Sequence, residues 1–359
     1  MSFNFNRMDL QLFGAGDTVH STEGYVNAND PSATVAYTGE SGLSAEMKTF
    51  YDKTLIELAG PSLVFDQFAQ KRPIPKGGGK TIEFRRFNAL PKALTPITEG
   101  VTPTASKLSV VPVTATVDQY GDYVELTDMI ELTSVDPIVV EATKQLADQA
   151  GRTIDTVVRN QIMGGTNVNY CPHVAEDGAE TPVTSRKELS EDCKLRVKDV
   201  FRAAAQLKAM NAPTIDGSYV AVIHPYVAYD LMQDAKGQWL DIQKYADPQS
   251  ILKGEIGTLG GVRFVQSTEA KIYVGEDGGK DGCSVFCTLF IGANAYGTTD
   301  IAGGGIEHIV KQKGYGNDPL NQRSSVGWKA TKVATRLVEE YMLRVESCSS
   351  FSSSVVEAN

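Results

Sequence analysis

Apolar runs in this chain stay well short of the roughly 18 residues that span a bilayer, and its first residues show neither a basic region nor an apolar signal stretch. No membrane partner is expected, and the protein is expected to be made and kept in cytoplasm. Cysteine is sparse. Five cysteines, an odd number with no C-x-x-C spacing, sit in a 359-residue chain too long to need staples, and are read as reduced thiols. Histidine is scarcer still: His20, His173, His224 and His308 are scattered, and no G-x-S-x-G, H-E-x-x-H or EF-hand loop occurs. The expectation is a non-enzyme with no catalytic, cofactor-binding or metal residues. Clusters of positive charge are missing as well. With 34 Lys and Arg dispersed among 44 Asp and Glu, the net charge of −10 leaves no electrostatic footprint for nucleic acid.

What the chain does contain is a long amphipathic segment from Asp136 to Gly165. Asp136 suits an N-cap, Pro137 the first helical position, and Gly164-Gly165 a C-terminal stop. Val139, Ala142, Leu146, Ala150, Ile154 and Val157 recur at helical spacing, with Glu141, Lys144, Asp148, Arg152, Asp155 and Arg159 on the opposite side. Such a helix spans roughly 40 Å. Asp148 to Arg152 and Asp155 to Arg159 are acid-before-base pairs four apart, each contributing about 0.2–0.5 kcal/mol.

Around this helix the texture changes along the chain. Residues 1–42 are rich in Asn, Gly, Ser and Thr with isolated apolar anchors, an arm that either frays or orders against a neighbour. Met47, Tyr51, Leu55 and Leu58 form the face of a short docking helix within 43–75. Residues 76–128 read as a long β-hairpin whose wide tip, 88–107, holds Pro91, Pro96, Gly100 and Pro103. Pro112 places its strand at an edge. A ribbon of two strands is marginal in water, so it needs support from another subunit or, alternatively, from its own domain. At its root Gly77-Gly78-Gly79-Lys80-Thr81 looks like the end of a P-loop, but Ile74 stands where the first glycine belongs and a strand follows instead of a helix. A glycine hinge accounts for the same residues.

Beyond the helix, residues 166–188 read as a polar surface loop; Cys171 and His173 within it have no second pair at ligand spacing. A second helix is expected from Glu191 to Met210, then a strand at Tyr219–Ile223 buried on both faces. His224-Pro225 opens a helix with Val227, Leu231 and Met232 inward, His224 acting as a cap. Strands are expected at 262–266, 271–274 and 284–291, and Cys283 and Cys287, four apart in extended chain, are read as sharing one face about 13 Å apart, too far for a disulfide. A strand starts at Ile306. Val333–Glu346 alternates with period two, about 46 Å of continuous strand, and the Ser-rich tail from Ser347 is expected to be mobile.

The order of these segments, and the stretches KGGGKTIEFRRFNALPKALTPITEG, DQYGDYVELTD, GRTIDTVVRNQI, GSYVAVIHP, GEIGTLGGVRFVQS and GYGNDPLNQRSSVGWKATKVATRLVEEYMLRVES, resemble the major capsid proteins of tailed bacteriophages, and more narrowly their N4-type branch. The resemblance implies an α+β chain of the Hong Kong 97-like (HK97-like) fold. In that scheme 76–128 is the extended loop, 129–212 and 301–346 the peripheral domain with its spine helix, and 213–300 an α/β axial domain, between the arm (1–42) and the tail (347–359). It implies hexamers and pentamers closing an icosahedral shell in the virion, assembled in the host bacterial cytoplasm around double-stranded DNA that is not bound sequence-specifically. It also implies partners: a scaffolding protein, a portal and decoration proteins. No long charged N-terminal coiled coil of the fused-scaffold type is present, so the scaffold is expected to be separate. No motif places the lysine-to-asparagine crosslink of some relatives. An encapsulin-like compartment shell, which shares this fold, is the alternative.

Overall fold

The chain is described by a computed structural model covering residues 63–73, 79–88, 90, 92–97, 99–102, 104–134, 138–175, 178–235, 240–241, 254–300, 306–315, 318–355 and 357–359. The expected arm, the docking helix, and the caps Asp136 and Pro137 lie outside these residues.

Helix α1 (Asp128–Thr133) is a single capped turn and a half, in which the Thr127 hydroxyl accepts the Ile130 N–H. Helix α2 (Ile138–Met163) is the expected spine, 26 residues or roughly 39 Å long. Its first two-thirds bury Leu146, Ala147, Ala150 and Ile154 against Leu126, Ile306, Val326 and Trp328. Its last turns bury Val158, Ile162 and Met163 in a different cluster with Val220, Leu289 and Ile291. One helix therefore spans two cores. Gly165 closes the helix on the Ile162 carbonyl, and two distant arginines finish it: Arg336 donates to the Gln161 carbonyl at 2.9 Å, and Arg344 to the Met163 carbonyl. Positive charge at that end complements the helix dipole.

The polar stripe of the spine is not all solvated, contrary to the spacing argument. Asp155 and Arg159 are fully buried, because the turn at Phe65–Phe68 and the segment around Glu269 cover that side of the helix. Their partners are tertiary. Asp155 accepts the Phe65 N–H, and Arg159 donates to the Glu269 carbonyl at 2.5 Å; Arg152 meets the Glu269 carboxylate at 2.8 Å.

The first core surrounds a three-stranded antiparallel sheet in which β16 (Arg323–Lys332) lies between β15 (Ile306–Lys311) and β4 (Asp118–Thr127). This corrects the hairpin boundary. Ten rungs pair β4 with β16, Asp118 opposite Lys332 through Thr127 opposite Arg323, so residues 118–127 belong to this sheet. The hairpin proper is β2 (Thr81–Phe87) with β3 (Val110–Thr116).

The second core is a larger sheet. Its main path runs β5 (Val168–Tyr170), β18 (Met342–Ser347), β13 (Val285–Ile291), β8 (Tyr219–Ile223), β11 (Val262–Gln266), β10 (Glu255–Leu259), β9 (Leu240–Asp241), with β12 (Ile272–Tyr273) on β13. As expected, β8 is buried on both faces: Val220 and Val222 point to the spine, while Tyr219, Ala221 and Ile223 point to α3 (Val197–Ala209) and α4 (Pro225–Ala235). Helix α3 starts later than the sequence suggests, at Val197, where the Asp199 carboxylate in its first turn reaches back to accept the Arg196 N–H.

Several expectations for this half are corrected. Met232 is 39% exposed, on the outer side of α4. Cys171 is buried, because Val168–Tyr170 is a sheet strand that carries the following residues into the core; a small hairpin of β6 (His173–Val174) and β7 (Glu180–Thr181) follows nearer the surface. The long terminal strand is broken. After β16 come β17 (Ala334–Arg336), which pairs with β14 (Tyr296–Thr299) beside β1 (Gln70–Arg72), a turn at Glu339–Tyr341, and β18. Its period of two persists through the break because each piece joins a sheet, but not the same sheet.

The tail is not free. Ser349 and Ser350 both donate to the Asp230 carboxylate, Ser352 donates to the Ser284 carbonyl, and Asn359 donates its carboxamide to Thr268 and Ala270 carbonyls. Serine hydroxyls replace apolar contacts here, which a hydropathy pattern does not register. Cys283 lies ahead of β13, and its sulfur meets Cys348 instead of lining up with Cys287.

Candidate assembly surfaces

The hairpin stands on the body by one face of β2. Strand alternation turns Ile82 and Phe84 inward and Glu83 and Arg85 outward, and the inward pair packs with Leu337, Val333 and Val338. The fit is closest at Phe84. Its ring occupies the space beside Gly297, where any added Cβ would clash with the ring edge, so glycine is what allows strand β14 to approach. Arg86 donates to the Leu337 carbonyl at 3.4 Å, and the Arg72 guanidinium lies 6.0 Å from the Phe84 ring centre. Pro112, opposite Arg85, sits in a ribbon that has no third strand among the described residues. Of the two supports considered for the ribbon, its own body holds the root.

The tip is a different matter. Beyond the last contact, where Asn88 and Ser109 close the ladder, Leu90, Leu94, Ile97, Val101 and Leu108 stand in solvent, with Leu94 82% and Ile97 77% exposed. A turn at Gly100, whose φ of +79° favours glycine, lies among them. Large apolar side chains grouped on a projecting loop mark an interaction surface. A second exposed apolar group runs along α1 and the start of the spine: Met129, Ile130 and Leu132, the last 80% exposed, followed by Val139 and Val140.

The body also holds a buried polar joint. Asp66 is ion-paired with Lys332, accepts the Thr298 hydroxyl at 3.0 Å, and meets Lys71 at 3.2 Å. Burial pushes the Asp66 carboxyl up, but Lys332 and Lys71 outweigh it and hold the carboxyl below its ordinary value. For Asp155, whose charge acts on Arg159 one turn along the helix, burial decides the outcome. Burial drives its pKa up to about 7, the Phe65 N–H opposes that, and the neighbouring Asp66 charge adds to it.

No catalytic, cofactor or metal residues were expected, and the histidines lie apart in the fold. His224 accepts the Tyr226 N–H through Nδ1 at 3.2 Å, the expected cap, and burial lowers its pKa to about 4. His173 faces Asp192 at 3.4 Å, and His308 lies in β15 opposite Trp328. His20 is outside the described residues. Among the described residues no three His, Cys, Asp or Glu side chains group as metal ligands. What the sequence reading missed was the exposed apolar set: Leu94 and Ile97, apolar residues inside a Pro-bounded turn region, were the available signal.

Comparison with known proteins gives a consistent picture. The profile of a family described as phage capsid protein matches residues 110–342. Among solved structures, the capsid of Ralstonia phage GP4 is similar with a TM-score of 0.62, 16% identity, and coverage of 91% of this chain and 98% of that one. The capsid of cyanophage P-SCSP1u gives a TM-score of 0.56 at 14% identity, covering 97% and 100% of the two chains. That of cyanophage Pam1 gives 0.55 at 12%, covering 91% and 99%. At these identities the likeness is one of fold. No curated protein matches the chain.

Proposed function

Because this chain belongs to the phage capsid protein family and is a bacteriophage major capsid protein with the Hong Kong 97-like fold, we propose that its copies join as hexamers and pentamers into a shell around double-stranded DNA. The observation that carries the mode of joining is the hairpin: its root is packed on its own body, while its tip presents Leu94 and Ile97 to solvent. Burying such side chains against a neighbour returns about 1.5–3 kcal/mol each, so a lattice with many copies of a modest contact closes cooperatively. In this reading residues 76–128 act as the extended loop, with β4 as its tie to the body. Residues 129–212 with 301–346 act as the peripheral domain, and 213–300 as the axial domain.

Placement in the N4-type branch rests on the six sequence stretches quoted above. A separate scaffolding protein and a portal are the partners this reading gives the shell, with decoration proteins an optional addition and assembly in the host cytoplasm. The net charge of −10 suits a wall that encloses DNA without gripping it. The wall acts by geometry and has no catalytic role.

Electron microscopy of the purified protein tests the proposal. Closed shells with five- and six-fold clusters are expected; a population of lone subunits under all assembly conditions overturns it. Enzyme cargo in place of DNA inside shells isolated from cells would turn the reading toward a compartment.

A further inference from the structure

Two of the five thiols meet. Cys283, at the head of β13, and Cys348, just after β18, have their sulfurs 3.2 Å apart, although 65 residues separate them in sequence. Both are held from the backbone: the Cys283 carbonyl accepts the Gly279 N–H at 2.8 Å, and the Cys348 N–H donates to the Cys193 carbonyl at 2.9 Å. The neighbouring residues are cross-tied as well, Ser352 to the Ser284 carbonyl and the Ser284 hydroxyl to the Val355 carbonyl. Closing from 3.2 Å to a bonded separation of about 2.05 Å takes roughly 1 Å of side-chain movement. We propose that Cys283 and Cys348 are a disulfide site, closed by a peroxide acting as two-electron oxidant, which fastens the segment 348–359 to the central sheet.

The chemistry divides between the two sulfurs. Cys348 is fully buried, whereas Cys283 keeps 7% of its surface open, which makes Cys283 the residue of the two nearer to solvent. The hydrogen bond they share eases Cys283 toward thiolate, its pKa lowered to about 7 despite burial, and pushes Cys348 up. The Cys283 thiolate attacks one peroxide oxygen, the O–O bond breaks, and hydroxide leaves, giving a sulfenic acid. The Cys348 sulfur then attacks the Cys283 sulfur, the S–O bond breaks, and water departs with the thiol proton of Cys348. Two thiols and one peroxide become one disulfide and two waters. Cys287 offers the contrast: burial raises its pKa strongly, and it stays a thiol. The site is open in reducing surroundings and closes in oxidising ones, the transition a particle meets on leaving a cell.

The test uses the full-length chain, purified with reductant, freed of it, and exposed to hydrogen peroxide before unfolding in the presence of an alkylating agent. Three of the five cysteines, Cys171, Cys193 and Cys287, are expected to be alkylated, and a peptide map is expected to show Cys283 joined to Cys348. The Cys193→Ser variant should keep that linkage. In Cys348→Ser, oxidation should stop at a Cys283 sulfenic acid that a dimedone probe traps. Five alkylated thiols after peroxide, or a linkage through Cys193, overturns the proposal. So does sulfinic acid on Cys283 without linkage.

Discussion

Asp155, on the spine helix, accepts the backbone N–H of Phe65 at 2.7 Å, tying the helix to the residues that precede the first strand. The bond is made by a carboxyl whose pKa burial raises from 3.8 to about 7. Below the lower value both folded and unfolded chains carry the proton, and the group adds no pH dependence. Between the two values the unfolded chain gives up its proton first, so stability falls as pH rises; above about 7 the penalty is complete. Asn at this position keeps an acceptor for Phe65 and carries no charge. Asp155→Asn is therefore expected to leave stability unchanged near pH 4 and to raise it by about 2–4 kcal/mol at pH 8. Denaturant titrations at the two pH values check this, and an unaltered pH slope in the variant would refute it.

The fully buried Glu346 takes a two-pronged contact from Arg186, at 2.6 and 2.7 Å, and the guanidinium also lies over the Tyr273 ring. Arg186→Met leaves a buried carboxylate with Arg344 as its remaining cation, at 2.9 Å. A loss of about 3 kcal/mol is expected, and adding Glu346→Gln should recover part of it. Equal stability of the single and double variants would show that the pair is not coupled.

Replacing both Leu94 and Ile97 by Ser removes apolar surface that this chain alone does not bury. Monomer stability should change by less than about 0.5 kcal/mol while shell formation is lost. Removing residues 88–107 altogether should have the same outcome in stronger form. Normal shells from either variant would exclude the tip from the contacts between subunits.

Dissociated subunits should bind duplex DNA weakly, since 34 basic residues are dispersed among 44 acidic ones and few counterions would be released. Filter-binding titrations at low and moderate salt read this directly. Tight binding with a steep salt slope would reveal a basic face made by folding, and the passive-wall reading would be abandoned.

The spine, the two-faced burial of Tyr219–Ile223 and the hairpin were legible because each is written in local periodicity: apolar residues every three or four, an unbroken apolar run, or alternation. The buried Asp155 and Arg159 were not, since what covers them comes from Phe65 and Glu269, about a hundred residues away on either side. Charge alone could not tell a solvated stripe from a tertiary joint. The same limit explains the tail, where Ser349 and Ser350 are fixed by Asp230. It also explains why the alternation over Val333–Glu346 looked like one strand: the pattern records which face is inward and says nothing of which sheet the strand joins. The exposed apolar tip showed in the sequence only as apolar residues in an unexpected place.

Strand β18 lies between β5 and β13, so the edge strand β5 has nothing to pair with in the large sheet until residues 342–347 have been made. At translation rates of about 5–20 residues per second, the nascent chain waits several seconds after β13 before its partner emerges. An unfinished polypeptide therefore has no complete tile to offer. A chain broken off by a ribosome before residue 342 lacks an interior strand of the large sheet, not an ornament at its rim.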